Sequence, residues 1–427
     1  MAEQISESSE WGSAKKSVIL FIIAYIFLYL FPFPFDWLTF TENPYIEDIL
    51  LLYTKATDAI TLWVGSHILQ IHPLEKIQRT GSGDTTFDYV KMATNIFISI
   101  IISIVIFLFT RKHKNYEKPY EYTIIYIRYF LGFCMISYGL AKFNDGQFPS
   151  PSLFKLEQSF GNSSPMGLLW AFMGYSKAYS TYTGIFEIIG GCLLLFRRTT
   201  VMGSLITLII MINVAILNFC YDVPVKLFSL HLVLFTLIIL APNLIKLRDF
   251  LLLNRPAVLI QPKWEMSKKW MRIGRVILKS IVIIGIVSSM LIDAFERSNE
   301  NGVDPSFNGV YYIKDCIVNK DSLTTVGKVL WNKMIIENNY AKIITVNDSS
   351  VYYQAQVDTL KKTILLSTAD SSKNIHFGYQ RQMNDYIYLL GLSGTDIISV
   401  TLKKKSIEEY PLKNRGFHWV TEYPNNR

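Results

Sequence analysis

The chain is poor in charged residues and in cysteine. Only 18% of its 427 residues are Asp, Glu, Lys or Arg, whereas a soluble domain carries about 25%. Its four cysteines show no regular spacing and no Cys-x-x-Cys motif, which excludes a disulfide framework and a zinc ribbon. Half of the residues are apolar. The composition therefore predicts a membrane protein and excludes a disordered chain.

Long apolar runs occupy the first two thirds of the chain, and about 20 mostly apolar residues suffice to cross a bilayer. The first run follows two lysines and has no small-x-small cleavage site, so it indicates a retained anchor and not a signal peptide. The seven predicted spans are Ser17–Phe31, Tyr89–Thr110, Tyr122–Phe143, Ser176–Phe196, Thr200–Tyr221, Pro224–Ala241 and Gly274–Ile292.

Lysine and arginine in the flanking segments predict the orientation of these spans. With the N-terminus inside, the inner segments hold about 17 Lys and Arg residues and the outer segments about 8. An odd number of spans then places the C-terminus outside. We expect a multi-pass protein of the bacterial cytoplasmic (inner) membrane. Because the basic residues flank spans and form no compact domain, we expect no nucleic-acid partner.

Residues 49–69 have apolar side chains at helical spacing but include Lys55, Asp58 and His67. This pattern favours a helix lying on the outer surface. An eighth span is the alternative, and it would reverse the orientation of everything downstream.

After Asp293 the pattern changes to short runs of alternating residues separated by turn clusters, which predicts a small antiparallel barrel or sandwich. The predicted fold is an α-helical transmembrane bundle of about seven spans followed by an all-β domain of about eight strands. Its parts are an N-terminal helical hairpin with a long outer loop (1–121), a four-helix core (122–256), an interfacial segment and last span (257–293) and an outer β domain (294–427). The predicted strands are Gly309–Ile317, Val329–Ile336, Ala341–Val346, Val351–Val357, Lys362–Ser367, Ile375–Arg381, Tyr386–Leu392 and Ile397–Lys403.

Polar side chains inside the spans are the candidate functional residues, because a charge at the bilayer centre costs at least about 2.5–3.5 kcal/mol. On the third span, Arg128, Tyr138 and Lys142 fall within an arc of about 80°. On the fourth span, Glu187 lies at a depth comparable with that of Arg128. We therefore expect a Glu187–Arg128 ion pair facing the bundle.

The fifth and sixth spans add Asn213, Asn218, Asp222, Lys226 and His231. Asn213 is expected in the same layer as His231. The alternative role of all these residues is to hold helices together through buried hydrogen bonds, and lysines near span ends can extend to the membrane surface. The histidine and carboxylate spacings predict no metal site.

An ordered series of short motifs runs from Ile127 to Pro256. Each is loose alone, but their order is informative. They are Arg128-x-x-x-Gly132 with Gly139 and Lys142, Ser164-Pro165 before Leu168–Met173, Glu187-Ile-Ile-Gly190-Gly191 ending in Arg197-Arg198, and Asn218-Phe-Cys-Tyr-Asp-Val-Pro-Val-Lys226 leading to His231.

This run resembles the DoxX family of bacterial membrane proteins. The resemblance implies a four-helix bundle. It also implies kinship with the DoxD-type subunit of thiosulfate:quinone oxidoreductase and with membrane partners of redox-stress enzymes. It further implies a quinone-facing role for Arg128, Glu187 and Lys142.

Two functional hypotheses follow. In the first, the protein binds a quinone as an accessory subunit of an oxidoreductase, with a membrane or periplasmic redox partner. Arg128 and Lys142 would donate to the quinone oxygens, and Glu187 or His231 would pass protons. In the second, the protein is a non-catalytic membrane anchor that presents a ligand- or protein-binding β domain outside the membrane.

Overall fold

The chain forms two compact units in the computed structural model. The membrane unit comprises residues 1–147 and 178–295, and the barrel unit comprises residues 148–177 and 296–427. The structure describes residues 10–35, 44–75, 81–143, 146–260, 307–318, 321–322, 331–368, 374–382, 385–394, 396–416 and 418–423, with scattered positions between 269 and 292.

Long helices build the membrane unit. Six of them, in the part that the structure describes, are long and apolar enough to cross a membrane, which confirms six predicted spans of a multi-pass membrane protein. The seventh predicted span, 274–292, lies largely outside the described residues. The helices are α1 (Ser13–Leu30), α2 (Pro44–His67), α3 (Thr86–Thr110), α4 (Glu117–Ala141), α7 (Lys177–Leu195), α8 (Thr200–Cys220), α9 (Lys226–Leu240) and α10 (Leu244–Leu251).

Apolar side chains lie on both the inside and the outside of this unit. Ile127, Leu131, Leu232 and Phe235 are fully buried between the helices, whereas Ile209 on α8 is 71% exposed. A water-soluble bundle would carry polar side chains on its outer surface. The outward apolar residues therefore suit contact with lipid.

The ends of α1 and α3 show that these helices are antiparallel. The Trp11 N–H, just before α1, donates to the Lys114 carbonyl, just after α3, at 2.9 Å. A complete crossing by α2 between them would make α1 and α3 parallel, so the eighth-span alternative is wrong. The Tyr53 hydroxyl of α2 donates to the carbonyl of Phe31 at the end of α1. This contact agrees with a helix lying at that end of the bundle.

Two pairs of glycines set the packing of α4 against α7. A Cβ atom on Gly132 would lie 3.2 Å from the Gly191 carbonyl oxygen, and one on Gly139 would lie 2.6 Å from that of Gly184. On each helix the two glycines are seven residues apart, which is two helical turns. The backbones of the two antiparallel helices therefore approach closely, and the glycines fix their register.

Eight antiparallel strands close the barrel unit, because β1 pairs with both β3 and β9. The eight predicted strands are confirmed, and the predicted barrel or sandwich is a barrel. The two-residue strand β2 extends the end of β1. The strands are β1 (Gly309–Val318), β2 (Asp321–Ser322), β3 (Trp331–Glu337), β4 (Tyr340–Thr345), β5 (Ser350–Asp358), β6 (Thr363–Ser367), β7 (Ile375–Arg381), β8 (Tyr386–Ser393) and β9 (Asp396–Lys404).

Large apolar side chains fill the barrel interior. Phe307, Tyr311, Phe377 and Leu389 are all 1% exposed or less and belong to one continuous core. An eight-stranded barrel can instead enclose a small ligand, but among the described residues this interior is occupied by side chains.

The connection between α4 and α7 belongs to the barrel unit. It contains the short helices α5 (Leu153–Leu156) and α6 (Pro165–Tyr175). Leu153, Phe154 and Leu156 pack against Val310 and Ile335 of the barrel wall. The barrel therefore holds a segment that precedes it in the chain by about 150 residues.

Candidate functional site

A buried ion pair joins α4 to α7. The Lys142 ammonium lies 2.6 Å from Glu187 Oε2, and the two side chains are only 7% and 5% exposed. Lys142 Nζ also donates to the Tyr138 carbonyl at 3.4 Å. Because helical side chains point back toward the N-terminus, Lys142 at the end of α4 extends into the bundle, toward Glu187.

The expected partner of Glu187 was wrong. The glycine register places Arg128 level with Leu195 on α7, eight residues beyond Glu187 and so about 12 Å away along the helix. Arg128 is buried and donates from Nη1 to Thr200 Oγ1 at 3.3 Å. Arg128 therefore connects α4 to the start of α8, while Lys142 neutralises Glu187.

His231 on α9 is held by two hydrogen bonds. Its Nδ1 lies 2.7 Å from the Leu227 carbonyl oxygen, which can only accept, so Nδ1 carries a proton. In the neutral ring Nε2 is then an acceptor, and the Tyr25 hydroxyl donates to it at 2.6 Å. The Tyr29 ring stacks on the imidazole with centroids 4.1 Å apart. Two tyrosines of α1 and one histidine of α9 thus form a compact group.

Tyr138 lies between the ion pair and α9. The Lys142 ammonium lies 5.9 Å from the centroid of its ring, and the ring packs against Phe228 of α9 with centroids 6.5 Å apart. Tyr138 is 37% exposed at the outside of the bundle. We call the whole set the polar array: Tyr25, Tyr29, Tyr138, Lys142, Glu187 and His231.

A second polar group surrounds the start of α9. Lys226 Nζ lies 2.8 Å from Asp222 Oδ1, as the four-residue spacing permits. The backbone N–H groups of Lys226 and Leu227 donate to Asp84, which precedes α3. The buried Asn218 side chain donates to the Val225 carbonyl at 3.4 Å. Asp84 was missed from sequence because it lies 142 residues before its partners.

Asn213 does not join these groups. It lies on an exposed face of α8, whereas His231 is buried on α9. The expectation that the two residues share one layer of the bundle stays a prediction. Every neighbour of Asn213 on this span is apolar, so the sequence pattern did not distinguish its inward face from its outward face.

The barrel unit contains a separate buried carboxylate that sequence reasoning also missed. Glu157, in the α4–α7 connection, accepts hydrogen bonds from Lys333, Tyr410 and Lys405. Burial alone would raise the pKa of Glu157, but these three donors outweigh it and lower the pKa to about 2. Glu157 is therefore ionised at neutral pH and fastens the connection to the barrel.

No three His, Cys, Asp or Glu side chains converge as a metal site would require, within the residues that the structure describes.

Comparison with known proteins finds a relative of part of the chain. No family model matches the chain, and no solved structure matches it. The uncharacterized protein YwoB of Bacillus subtilis is 36% identical over 113 residues, which are 26% of this chain and 71% of that protein. The shared segment spans most of the smaller protein. This chain therefore belongs to the same family as YwoB.

Proposed function

We propose that the protein is a DoxX-type membrane subunit that binds a quinone beside the polar array and works with an oxidoreductase partner. The observation that carries the proposal is the polar array itself, six polar side chains within an apolar bundle. Ionisable residues inside a membrane are costly and default to a functional role. Tyr138 is 37% exposed at the outside of the bundle, so the array is accessible to a ligand dissolved in the bilayer.

The chemistry of the side chains fits a quinone. Reduction to the quinol adds two electrons and two protons, and the oxygens gain negative charge before they are protonated. Lys142 and the Tyr138 hydroxyl are donors that favour this charge. Tyr25 and His231 form a hydrogen-bonded pair suited to moving a proton. The electrons are assigned to the partner oxidoreductase. Arg128 lies about 12 Å further along the helix and is left out of the proposed contacts.

Removing both charges of the ion pair tests this proposal. A double variant, Lys142→Met with Glu187→Leu, leaves no unpaired charge and should keep the fold. Full-length protein in nanodiscs should then bind menadione or decylubiquinone roughly 10- to 100-fold more weakly, because hydrogen bonds to charged groups contribute about 1.5–3 kcal/mol. The matched control removes another ion pair of the same unit, Lys16 with Glu10. Equal affinity in the wild type and the double variant would defeat the proposal.

The second candidate is a membrane anchor that presents the barrel to a protein. The observation that favours it is the filled interior of the barrel, which leaves its outer surface for recognition. An open groove of about 720 Å³ lies on that surface, lined by Gln356, Asp358, Thr363 and His376. In a strain lacking the protein, an anchor would be complemented by the Lys142/Glu187 double variant but not by a chain with His376→Ala and Gln356→Ala. A quinone subunit gives the opposite result.

We also propose that the barrel unit faces the outside of the bacterial inner membrane. The charge bias of the flanking segments supports this orientation. Chain connectivity adds support, because the α4–α7 connection is one of the predicted outer segments and belongs to the barrel unit. The six described spans leave α10 on the opposite side, so the proposed orientation requires the seventh span that the sequence predicts at 274–292.

Cysteine labelling in oriented vesicles tests the orientation. In a chain without its natural cysteines, a new cysteine at Ser163 and one at Thr359 should react from the outside. A cysteine at Lys114, between α3 and α4, should react only from the inside. Labelling of Ser163→Cys and Thr359→Cys from opposite sides would refute the proposed topology.

A further inference from the structure

The first turn of α9 is capped by a residue from a distant loop. Asp84 Oδ2 accepts from the Lys226 N–H at 2.7 Å, and Oδ1 accepts from the Leu227 N–H at 2.9 Å. The first N–H groups of a helix have no partner within the helix. Val225, the residue before α9, makes no side-chain cap. Asp84, whose side chain is 8% exposed, therefore supplies the cap.

The same loop is attached to the chain just before α9. The Gly83 N–H donates to the Pro224 carbonyl at 2.8 Å. Lys226 Nζ lies 4.0 Å from Asp84 Oδ2 and 2.8 Å from Asp222 Oδ1, so an ammonium group accompanies the carboxylate. The loop before α3 is thus joined to the start of α9 by backbone hydrogen bonds and by an ammonium group.

Leu227 connects this cap to His231. Its N–H donates to Asp84, and its carbonyl accepts from His231 Nδ1 at 2.7 Å. The hydrogen bonds therefore run without a break from Asp84 through Leu227 and His231 to Tyr25. The backbone of a single residue transmits the position of the carboxylate to the imidazole.

We infer that Asp84 is the positioning residue for His231. By fixing the first turn of α9, it holds the Leu227 carbonyl where it keeps the proton on Nδ1, and so it leaves Nε2 as the acceptor for Tyr25. The functional meaning of this role rests on the proposed quinone site. The positioning itself does not, because it concerns only the tautomer and the hydrogen bonds of His231.

Nitrogen NMR of the histidine ring tests the inference directly. In full-length protein labelled with ¹⁵N-histidine, with His231 assigned from a His231→Gln sample, Nδ1 should carry the proton and Nε2 should not. In Asp84→Ala, the fraction of the other tautomer should rise at least about threefold, which corresponds to a change of only about 0.7 kcal/mol at 1.4 kcal/mol per tenfold. Asp84→Asn keeps one acceptor oxygen and should give an intermediate result.

Two controls separate positioning from general stability. Thr85→Ala removes the capping box of α3 at the next residue and leaves the Asp84 bonds to α9 in place. Asp222→Asn removes the negative charge of the exposed partner of Lys226. Both should leave the His231 tautomer unchanged, even where the melting temperature falls. If Asp84→Ala lowers the melting temperature like Thr85→Ala and leaves the tautomer fraction unchanged, Asp84 is only a helix cap.

A second variant tests the role of Asp84 if the first does not fold. If Asp84→Ala does not fold, Asp84→Asn decides, and an unchanged tautomer in that variant overturns the inference. Menadione binding is measured on the same samples and should weaken in Asp84→Ala as it does in Tyr25→Phe. If the wild-type protein binds no quinone, the proposed function is wrong. The tautomer of His231, measured by NMR, still tests the role of Asp84.

Discussion

Two buried glutamates, one in each unit, are neutralised in different ways. Among the residues that the structure describes, Glu187 in the membrane unit contacts one ammonium group, that of Lys142, whose side chain is only 7% exposed. Glu157 in the barrel unit has two ammonium partners and a hydroxyl, and its lysines are 20% and 15% exposed. Glu187 is thus paired with one ammonium group, whereas Glu157 is paired with two.

The difference follows from the two surroundings. A hydrocarbon environment provides no water to solvate a surplus charge, so a neutral one-to-one pair is the least costly arrangement. The partly exposed lysines around Glu157 can still contact water. The environment therefore sets how many partners a buried carboxylate has, and the two sites should respond differently to the loss of one partner.

The largest effect is expected where no water can replace the lost partner. Lys142→Met leaves Glu187 without its counter-charge and should destabilise the membrane unit by about 3–5 kcal/mol. The double variant with Glu187→Leu should recover most of this loss. Thermal unfolding in detergent measures both. If the single and double variants unfold at the same temperature, Lys142 and Glu187 are not energetically coupled, and the proposed difference between the two glutamates is wrong.

A smaller loss is expected at Glu157. Glu157→Gln removes a charged acceptor of three donors and should cost about 1.5–3 kcal/mol, because Lys333 and Lys405 can turn toward water. Limited proteolysis should then cleave the 148–177 connection faster. Glu408→Gln, an exposed change of the same type on the same unit, is the control and should leave the cleavage rate unaltered.

The stability of the barrel unit should depend on pH through the ionisation of Glu157. The pKa of Glu157 is lowered from 4.5 to about 2, so its contribution to stability is fully present above pH 4.5. That contribution is lost as the pH falls from 4.5 toward 2. Proteolysis of the connection by an acid protease should accelerate over this range in the wild type, and Glu157→Gln should remove that part of the dependence. A wild-type connection equally protected at pH 4.5 and pH 2 contradicts it.

The glycine register that selects the partner of Glu187 can be tested separately. A Cβ on Gly139 would meet the Gly184 carbonyl oxygen at 2.6 Å, so Gly139→Ala should cost about 1–3 kcal/mol through overpacking. Gly12→Ala, where nothing lies within 4 Å, serves as the control. Unfolding in detergent should show a larger loss of stability in Gly139→Ala than in Gly12→Ala. An equal loss would show that the glycine contacts do not set the register of α4 against α7.

The smallest effect is expected from the neutral donor. Tyr410→Phe removes one hydrogen bond to Glu157 and leaves both lysines in place, so the barrel unit should lose only about 1 kcal/mol. Denaturant unfolding of the full chain, followed at the barrel, measures it. A loss as large as that of Glu157→Gln would show that the hydroxyl, and not the ammonium groups, dominates the cluster.

The elements were predictable from sequence, because each has a local signal. Strand Ile375–Arg381 was predicted at its observed bounds, since alternation and turn residues mark it. The partners of the buried charges were not predictable, because they depend on packing between distant segments. The expected Glu187–Arg128 ion pair was wrong because it depends on the register of α4 against α7, which the glycine pairs set. Glu157 lies 176 residues from Lys333, and no local pattern joins them. The DoxX resemblance and the quinone remain predictions.

The attachment of the α4–α7 connection to the barrel has a consequence for biosynthesis. Lys333 is translated 176 residues after Glu157, which at about 5–20 residues per second takes roughly 9–35 s. During that interval Leu153, Phe154 and Leu156 have no barrel wall to cover them. After α4 and α7 are inserted, the loop between them therefore stays uncovered until the barrel strands have been translated. Chaperones and proteases have that time to act on the uncovered loop, and closure of the barrel ends its exposure.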